Sequence, residues 1–231
     1  ETDFYSIASD ATLSNTWTYA QTGLSVNGGE PTGIPATPIC ESFSDDFSGT
    51  SLDALKWAWI PPATSSSSAV LSNGKLVETI LPVAGLNQYI SLSVGSKLIS
   101  GDFEAVGDLQ VDQAASGGGG GPAMIFTSDG WVNQLNVTLN INGDLSANTS
   151  MNSQWSTEQF VKSGLTQPVT VKINRTGNTV KFYYKDGSEF ILLGERSGIY
   201  TGGGYLNFHT NSTDPDYPAI TSSFDNFKLT C

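Results

Sequence analysis

The sequence has few charged residues, two cysteines and one histidine. Of its 231 residues only 14% are charged, and 10 Lys and Arg stand against 22 Asp and Glu, which gives a formal net charge of −12. With so few cations the chain lacks the basic surface that neutralises phosphates, so we expect no nucleic-acid partner. No run of about 18 apolar residues occurs, so we expect no membrane span. The 5 Trp, 8 Tyr and 11 Phe residues can fill a large core, which indicates a globular domain.

The two cysteines, Cys40 and Cys231, bracket most of the chain. They are either two buried free thiols or one disulfide that ties the first strand of the main domain to its last. We favour the disulfide, which needs an oxidising compartment. The sequence begins at Glu1 without a charged leader or an apolar segment, as expected of a mature chain after removal of a signal peptide. These features predict a secreted, extracellular or cell-surface protein.

Four Asn-x-Ser/Thr sequons occur, at Asn136, Asn148, Asn174 and Asn211. Such sequons are acceptors for N-linked glycans in secreted proteins. A chain this rich in Asn, Ser and Thr contains several of them by chance. They therefore predict permitted glycosylation sites and are no indication that glycans are attached.

Alternation of apolar and polar residues indicates strands in most of the chain after residue 40. The apolar positions that share a face are Val169, Val171 and Ile173; Val180, Phe182 and Tyr184; Phe190 and Leu192; Phe103, Ala105, Leu109 and Val111; and Leu135, Val137, Leu139 and Ile141. Turns are expected at Arg175–Asn178 and at Asp186-Gly187, where glycine accepts the positive φ of a tight hairpin. Helical periodicity is absent beyond one short turn at Leu52–Lys56. The pattern predicts an antiparallel sandwich or barrel.

Residues 1–40 differ in composition from the rest of the chain. They end in the proline-rich segment Glu30–Pro38, which is typical of a semi-rigid, extended linker. Two alternatives are open for this N-terminal arm. Either it folds back on its own domain, or it donates an extra strand to a neighbouring copy of the chain. The predicted organisation is thus an extended arm over 1–40 and a main domain over 41–231.

Several short segments near the two ends of the main domain form a recognisable set. They are Phe43–Asp53 (FSDDFSGTSLD), Lys56-Trp57, Asn73–Leu76 (NGKL) and Phe224–Leu229 (FDNFKL). Together they resemble the concanavalin A-like lectin/glucanase superfamily, whose jelly roll is shared by laminin-G-like modules and family 16 glycoside hydrolases. The resemblance implies an all-β, two-sheet antiparallel jelly-roll sandwich, to which the N-terminal arm is added. A fold of this kind hosts many functions, so function has to be argued from sites.

The glycosidases of this superfamily carry their acids on one strand as Glu-x-Asp-x-x-Glu, and this motif is absent here. Retaining hydrolysis needs two carboxyl groups about 5 Å apart. Asp102 and Glu104, on one face of a predicted strand, are weak catalytic candidates, because acids on an outer strand face are more often solvated surface. His209 has no accompanying Gly-x-Ser-x-Gly nucleophile motif. Whether the chain is an enzyme is left open, with a non-catalytic role favoured.

The resemblance also implies a structural calcium ion between the first and last strands. In such sites an Asp of the closing segment joins backbone carbonyls of the opening one. Asp225 matches the closing position and Asp46 lies in the opening segment. Plentiful oxygen ligands, with little His and Cys, favour calcium over zinc or copper. The alternative is that Asp225 only caps a turn.

Strand parity predicts a polar, partly aromatic face on one sheet. If the apolar residues of each strand face the core, the residues between them face outward. The outward residues expected to contact a ligand are Tyr89, Gln134, Asn136, Tyr205, Asn207 and His209. Amides and hydroxyls match the hydroxyls of sugars, and an exposed ring stacks on a pyranose face. A neutral solvated surface is the alternative.

We therefore expect a secreted, non-catalytic β-sandwich module that binds a polysaccharide, a glycan or a cell-surface partner. One alternative is a structural subunit of an extracellular filament or sheath that assembles with neighbouring copies through its N-terminal arm. Deletion of residues 1–30 would then abolish assembly. The other alternative is a polysaccharide-cleaving enzyme that uses Asp102 and Glu104. Undiminished hydrolysis by an Asp102→Asn, Glu104→Gln double variant would dispose of that assignment.

Overall fold

A computed structural model describes residues 43–54, 56–60, 67–81, 88–94, 99–113, 120–128, 131–212 and 219–231. The predicted N-terminal arm, 1–40, lies outside these residues. Strands and turns account for the described residues, and no α-helix occurs among them. Within the same ranges no helix is long and apolar enough to span a membrane.

The described residues form sixteen strands. They are β1 (Phe43–Asp45), β2 (Trp57–Ile60), β3 (Ser67–Ser72), β4 (Lys75–Ile80), β5 (Gln88–Val94), β6 (Phe103–Gln113), β7 (Gly120–Thr127), β8 (Gln134–Leu139), β9 (Leu145–Met151), β10 (Gln154–Trp155), β11 (Phe160–Lys162), β12 (Val169–Thr176), β13 (Thr179–Asp186), β14 (Glu189–Ser197), β15 (Tyr205–Ser212) and β16 (Ile220–Thr230).

These strands form two antiparallel sheets. The first sheet has the order β14-β13-β12-β6-β16-β4-β3, with β1 paired to β16. The second has the order β10-β9-β8-β7-β15-β5-β2, with β11 paired to β9. Strands distant in sequence, such as β6 and β16, are neighbours in space, and the two inner faces enclose one core. The predicted two-sheet antiparallel jelly-roll sandwich is confirmed.

The core forms from the alternating residues of both sheets. Val171 and Ile173 of β12 and Phe182 of β13 are fully buried, as the apolar alternation predicts. Leu135 and Val137 of β8 bury in the same way from the second sheet. Burial of each such side chain stabilises the fold by about 1.5 to 3 kcal/mol relative to exposure. The core is therefore the part of the molecule that the sequence pattern specifies best.

Phe190 and Leu192 share one face of β14, as predicted, and this face is the outer one. Leu192 is 49% exposed and pairs with Tyr183, and Phe190 pairs with Lys185. The Phe190 ring centroid lies 4.4 Å from Lys172 Nζ, which is also on the outer face. The register of the β13–β14 hairpin decides which face the two residues occupy, and the alternation within β14 does not reveal it.

An aromatic cluster joins the opening segment to the closing strand. The Trp57 ring centroid lies 5.5 Å from that of Phe43, 5.3 Å from that of Phe47 and 5.5 Å from that of Phe227. Asp45 fixes this arrangement, because its Oδ2 accepts a 2.7 Å hydrogen bond from Trp57 Nε1 and its Oδ1 accepts one of 2.8 Å from Phe47 N. The segments that carry the superfamily resemblance are thus core and turn residues.

Arg175 is a buried cation at one end of the sandwich, where the sequence pattern places a turn. It belongs to β12 and is 1% exposed. Its Nε donates to Gly101 O at 2.8 Å and its Nη1 to Gly202 O at 3.0 Å. The guanidinium lies 4.9 Å from the Phe103 ring centroid and 4.6 Å from that of Phe126. The turn therefore begins two residues later than predicted, at Gly177, and Arg175 ties two loops to the core.

Candidate functional site

The outer face of the second sheet carries most of the predicted ligand residues and is called the polar face below. Its described side chains alternate with those of the core. They are Ala123, Ile125, Thr127, Gln134, Asn136, Thr138, Ser146, Asn148, Ser150, Tyr205, Asn207, His209 and Asn211. All of them are uncharged at neutral pH if the histidine is unprotonated. Six are buried, namely Ala123, Ile125, Thr127, Ser150, Asn207 and His209. The half-buried ones, which offer amides, hydroxyls and a ring, are Gln134, Asn136, Thr138, Ser146, Asn148, Tyr205 and Asn211.

Strand register brings the predicted residues together. Asn207 pairs with Ile125, which pairs with Asn136, and Asn136 in turn pairs with Asn148. In a parallel row, Tyr205 pairs with Thr127, which pairs with Gln134. Side chains of directly paired residues lie on the same face of a sheet. The predicted clustering from separate strands is therefore present in the structure.

Tyr89 takes a register position at the border of this face. Its backbone pairs with Asn211, but its side chain lies outside the described part of the structure. Its predicted contact with a ligand stays a prediction.

The second sheet carries almost no charge. Its described strands contain no Asp, Glu, Lys or Arg apart from Lys162 of β11. Lys162 pairs with the core position Leu145, and its Nζ lies 6.0 Å from the Tyr184 ring centroid. Hydrolysis by paired acids needs two carboxyl groups on one face, and the described strands of this sheet supply none.

His209 lies on the predicted side of β15 and is buried there. It is 8% exposed, and the Trp131 ring packs against its imidazole with 5.7 Å between centroids. Burial lowers the pKa of His209 to about 4, so the imidazole is neutral at physiological pH. A general base works best with a pKa near the operating pH, which makes His209 a poor proton acceptor and a good packing surface.

Asn207 also faces outward from the sheet, as predicted, and it is buried as well. It is 1% exposed, and its Nδ2 donates to Tyr205 O at 3.1 Å and to Ile125 O at 3.4 Å. Its Oδ1 has no hydrogen-bond partner among the described residues. Neighbouring side chains of the same face, Ile125 and Ser93, are buried as well. Asn207 therefore belongs to the floor of the polar face.

Gln134 and Asn136 are half-buried and oriented by local hydrogen bonds. Gln134 Nε2 donates to Trp131 O at 2.9 Å, and Thr138 Oγ1 donates to Asn136 Oδ1 at 2.8 Å. Trp131 has a positive φ of 61°, which turns the chain before β8. The Gln134 bond thus holds the residue whose ring covers His209. Sequence reasoning singled out both amides, and the packing of Trp131 on His209 depends on the loop conformation.

The weak catalytic candidates lie on the other sheet. Asp102 precedes β6, and its Oδ1 accepts a 2.6 Å hydrogen bond from Gly177 N, which anchors the hairpin between β12 and β13. Glu104 forms a 3.3 Å ion pair with Lys172 on the outer face of the first sheet. Both acids have structural partners, and neither faces the polar face.

The predicted calcium ligands are near each other but form an incomplete set. Asp46 Oδ1 accepts hydrogen bonds from Ser48 N and Oγ, which lower the pKa of Asp46. Burial raises the pKa of Asp225, and the charges of Asp108 and Asp46 add to this rise. Calcium takes about six to eight oxygen ligands. No group of three or more His, Cys, Asp or Glu suited to a metal occurs among the described residues. The predicted site also draws on backbone carbonyls, so the calcium ion stays a prediction.

The four sequons lie on strands and are half-buried. Asn136, Asn148 and Asn211 belong to the polar face, and Asn174 lies on the outer face of the first sheet. The Oδ1 atom of Asn148 accepts hydrogen bonds from Thr149 N and Ser156 Oγ, and that of Asn211 accepts one from Gly121 N. Their glycosylation stays a prediction.

The predicted Cys40–Cys231 disulfide also stays a prediction, because Cys40 lies outside the described residues. Cys231 follows β16 and is exposed. The first strand of the domain pairs with this last strand, with Phe43 opposite Leu229.

Glu78 is a buried acid that the sequence analysis did not single out. It faces inward from β4, it is fully buried, and its Oε2 accepts a 2.7 Å hydrogen bond from Thr210 Oγ1 of the opposite sheet. Burial raises the pKa of Glu78 to about 8, so the carboxyl is protonated at neutral pH. Glu78 Oε1 and the adjacent Ser222 Oγ have no partner among the described residues. The available signal was an acid at a core position of the alternation Leu76-x-Glu78-x-Ile80.

Trp155 was also missed. It is 51% exposed on the edge strand β10 and pairs with Ser150 of the polar face. Its surroundings in the sequence are polar and give no strand alternation, so only the sheet register assigns it to this face.

Three solved structures show which fold this arrangement has. The carbohydrate binding module CBM66 from Bacillus subtilis is 15% identical over 78% of this chain and 98% of its own, with a TM-score of 0.55. LamAcat from Zobellia galactanivorans is 11% identical over 82% of this chain and 96% of its own, with a TM-score of 0.61. The exoplasmic/lumenal domain of VIP36, in a Ca2+/Man-bound form, is 11% identical over 81% and 88%, with a TM-score of 0.56.

The chain has the concanavalin A-like fold. This confirms the resemblance inferred from the opening and closing segments. Identities this low establish the fold and leave the function to the site. No protein-family model matches the chain, and the comparison with curated proteins gives no significant match.

Proposed function

We propose that this chain is a non-catalytic module that binds a neutral carbohydrate on the polar face. The observation that carries the proposal is the uncharged, amide- and hydroxyl-lined outer face of the second sheet, with the rings of Tyr205 and Trp131 on it. Its support from the comparisons is that the similar structures include a carbohydrate binding module and a domain in a Ca2+/Man-bound form.

The chemistry of the face suits sugar hydroxyls. Side-chain amides both donate and accept hydrogen bonds, as sugar hydroxyls do. Gln134 and Asn136 are held in fixed orientations by Trp131 O and Thr138 Oγ1, which lowers the entropy lost on binding. A half-buried tyrosine such as Tyr205 combines an apolar ring with a polar hydroxyl.

The proposal of binding without cleavage is supported by what the face contains. Its one titratable imidazole, His209, is neutral and covered by Trp131. Asp102 and Glu104 are engaged with Gly177 and Lys172 on the other sheet. Acid–base chemistry on a glycoside needs a proton donor and a base near the scissile bond.

We further propose that the module works outside the cell with Cys40 and Cys231 joined. The pairing of Phe43 with Leu229 supports this, because Phe43 follows Cys40 by three residues in the sequence and Leu229 precedes Cys231 by two. Titration of free thiols under denaturing conditions, before and after reduction, tests the bond. Thiol reactivity before reduction would contradict it.

The proposed binding is tested by a screen of wild-type protein against polysaccharides. The expected result is retention by at least one neutral polysaccharide, no gain for carboxylated or sulfated ones, and no release of sugar fragments on prolonged incubation. Fragment release would contradict the non-catalytic assignment, and retention by no polysaccharide would contradict the function. Parallel screens with calcium and with a chelator test the predicted ion, whose presence should raise retention or thermal stability.

A further inference from the structure

The first sheet ends in β14 on one side and in β3 on the other. An edge strand has backbone N–H and C=O groups that can pair with another chain, and charged residues and bulges protect such edges. β14 has both kinds of protection. It carries the charged residues Glu189, Glu195 and Arg196. Its pairing with β13 also shifts register between Phe182 and Tyr183. β14 is therefore protected against pairing with another strand.

β3 has neither kind of protection. Its residues, Ser67–Ser72 (SSAVLS), include no charge and no proline, and they pair with β4 without a register shift. Among the described strands β3 pairs with β4 alone. Val70 is 52% exposed on the outer face, where it pairs with Val77. Ser68 and Ser72 are exposed as well. An exposed, uncharged edge of this kind is suited to pairing with another strand.

The sequence of β3 is complementary to a second copy of itself. When two copies lie antiparallel with Val70 opposite Val70, Ser68 of each copy lies opposite Ser72 of the other. Ala69 lies opposite Leu71 in the same arrangement, and both side chains are half-buried against the core of their own copy. Valine then meets valine, hydroxyl meets hydroxyl, and the inward-facing apolar residues meet each other. Matched pairs of this kind stabilise antiparallel sheets.

The charge of the chain also favours β3 over β14 as a contact between copies. The formal net charge is −12, so copies of the chain repel one another. A strand without charge adds nothing to this repulsion, and β3 is such a strand. β14 carries Glu189 and Glu195. The outer face gains as well, because the Val70–Val77 pair of each copy joins that of the other in one apolar row.

We propose that two copies of this chain associate by antiparallel pairing of their β3 strands about a two-fold axis at Val70, so that their first sheets form one continuous sheet. Such a contact is isologous, because both copies contribute the same strand. A strand of six residues makes a small contact, so the dimer dissociates on dilution. The inference is independent of the proposed function, because β3 belongs to the first sheet and the polar face to the second.

Disulfide cross-linking tests the pairing and its register. Directly opposed residues of antiparallel strands have Cβ atoms about 4.5 to 5.5 Å apart, close to the separation in a disulfide. Val70→Cys should therefore form a covalent dimer in a glutathione redox buffer. Ser68→Cys is the matched control, because the two Ser68 positions lie about 14 Å apart along the strands. The double variant Ser68→Cys, Ser72→Cys should cross-link again. Wild type in the same buffer controls for Cys40 and Cys231.

Sedimentation equilibrium tests the association without a cross-link. The wild-type chain should show a monomer–dimer equilibrium that shifts with concentration. Val70→Lys puts two like charges beside the two-fold axis and should weaken dimerisation at least about tenfold. The control is Leu192→Lys, which puts the same charge in place of a similarly exposed apolar side chain (49%) on β14. This control should dimerise as the wild type does.

Three results would overturn the inference. The first is a wild-type chain that stays monomeric up to about 1 mM, which would leave β3 to another strand or to none. The second is undiminished dimerisation of Val70→Lys, which would assign the contact to another surface. The third is equal cross-linking of Ser68→Cys and Val70→Cys, which would exclude the proposed register. None of them bears on carbohydrate binding by the polar face, which the polysaccharide screen tests separately.

Discussion

The two sheets of this sandwich share one core but differ sharply in charge. The described strands of the first sheet contain Lys, Arg, Asp and Glu on their outer face, paired across strands as in Lys172–Glu104 and Lys181–Glu195. The described strands of the second sheet have Lys162 alone. The first sheet shows that this fold tolerates charge on an outer sheet face. The neutrality of the second is therefore a property of its surface and points to what that surface contacts.

The difference extends to the buried polar groups. The first sheet buries Arg175 and Glu78 within the sandwich, whereas the second buries His209 and Asn207 on its outer face. Inward-facing polar groups act on the stability of the core. Polar groups under the outer face form the floor of a contact surface. Replacing an inward-facing polar group should therefore change the stability of the core, and replacing one under the outer face should change the contact surface.

The largest effect is expected at Arg175. Replacement by Ala removes its hydrogen bonds to Gly101 and Gly202 and its packing on Phe103 and Phe126. We expect a loss of about 3 to 5 kcal/mol in the free energy of unfolding, measured by urea denaturation. The matched control is Lys181→Ala, whose exposed ion pair with Glu195 should be worth less than about 1 kcal/mol. Similar losses for the two variants would remove the distinction between inward and outward charge.

Glu78 is expected to make the fold less stable as pH rises from about 4.5 to about 8. Burial raises the pKa of Glu78 to about 8 from its ordinary value of 4.5, so between these two pH values the folded state holds a proton that the unfolded state has lost. Its stabilising contribution is complete below about pH 4.5 and is lost as pH rises to about 8. The steepest slope is about 1.4 kcal/mol per pH unit. Glu78→Gln should flatten this fall in urea denaturation across pH, and an unchanged slope would contradict the assignment.

His209 is expected to have the opposite pH dependence with a smaller total. Burial lowers its pKa to about 4 from 6.5, so protons bind the unfolded state first as pH falls. Stability should be complete above about pH 6.5 and decrease as pH falls to about 4. His209→Gln should reduce the decrease over this window, measured as the difference from wild type. With Glu78, this predicts maximal stability between about pH 4.5 and 6.5.

The features predicted correctly from the sequence are those that depend on the alternation of apolar and polar residues within one strand. Val171, Ile173 and Phe182 face the core because a period of two fixes the face of each residue within one strand. The outward direction of Leu192 depends on the register in which β13 and β14 pair. The alternation of residues within one strand does not reveal the register in which that strand pairs with its neighbour.

The sequence predicted which face of the sheet the candidate site residues occupy, but it did not predict how far they are buried. The parity of β15 placed Asn207 and His209 on the correct face. Their burial comes from residues elsewhere in the chain, since the Trp131 ring packs on His209 from the loop before β8. Trp155 was missed for a related reason, because a strand of two residues has no period to detect.

The claim that the neutral second sheet is a carbohydrate-binding surface is tested most directly by replacing two tyrosines, one on each sheet. Tyr205 lies on the polar face, and Tyr183 lies on the outer face of the first sheet, with Lys172 Nζ 4.5 Å from its ring centroid. The measurement is the affinity of Tyr205→Ala and Tyr183→Ala for a neutral polysaccharide that the wild type retains. We predict at least about a tenfold loss for Tyr205→Ala and wild-type affinity for Tyr183→Ala. Equal affinities of the two variants, or loss only in Tyr183→Ala, would contradict the account.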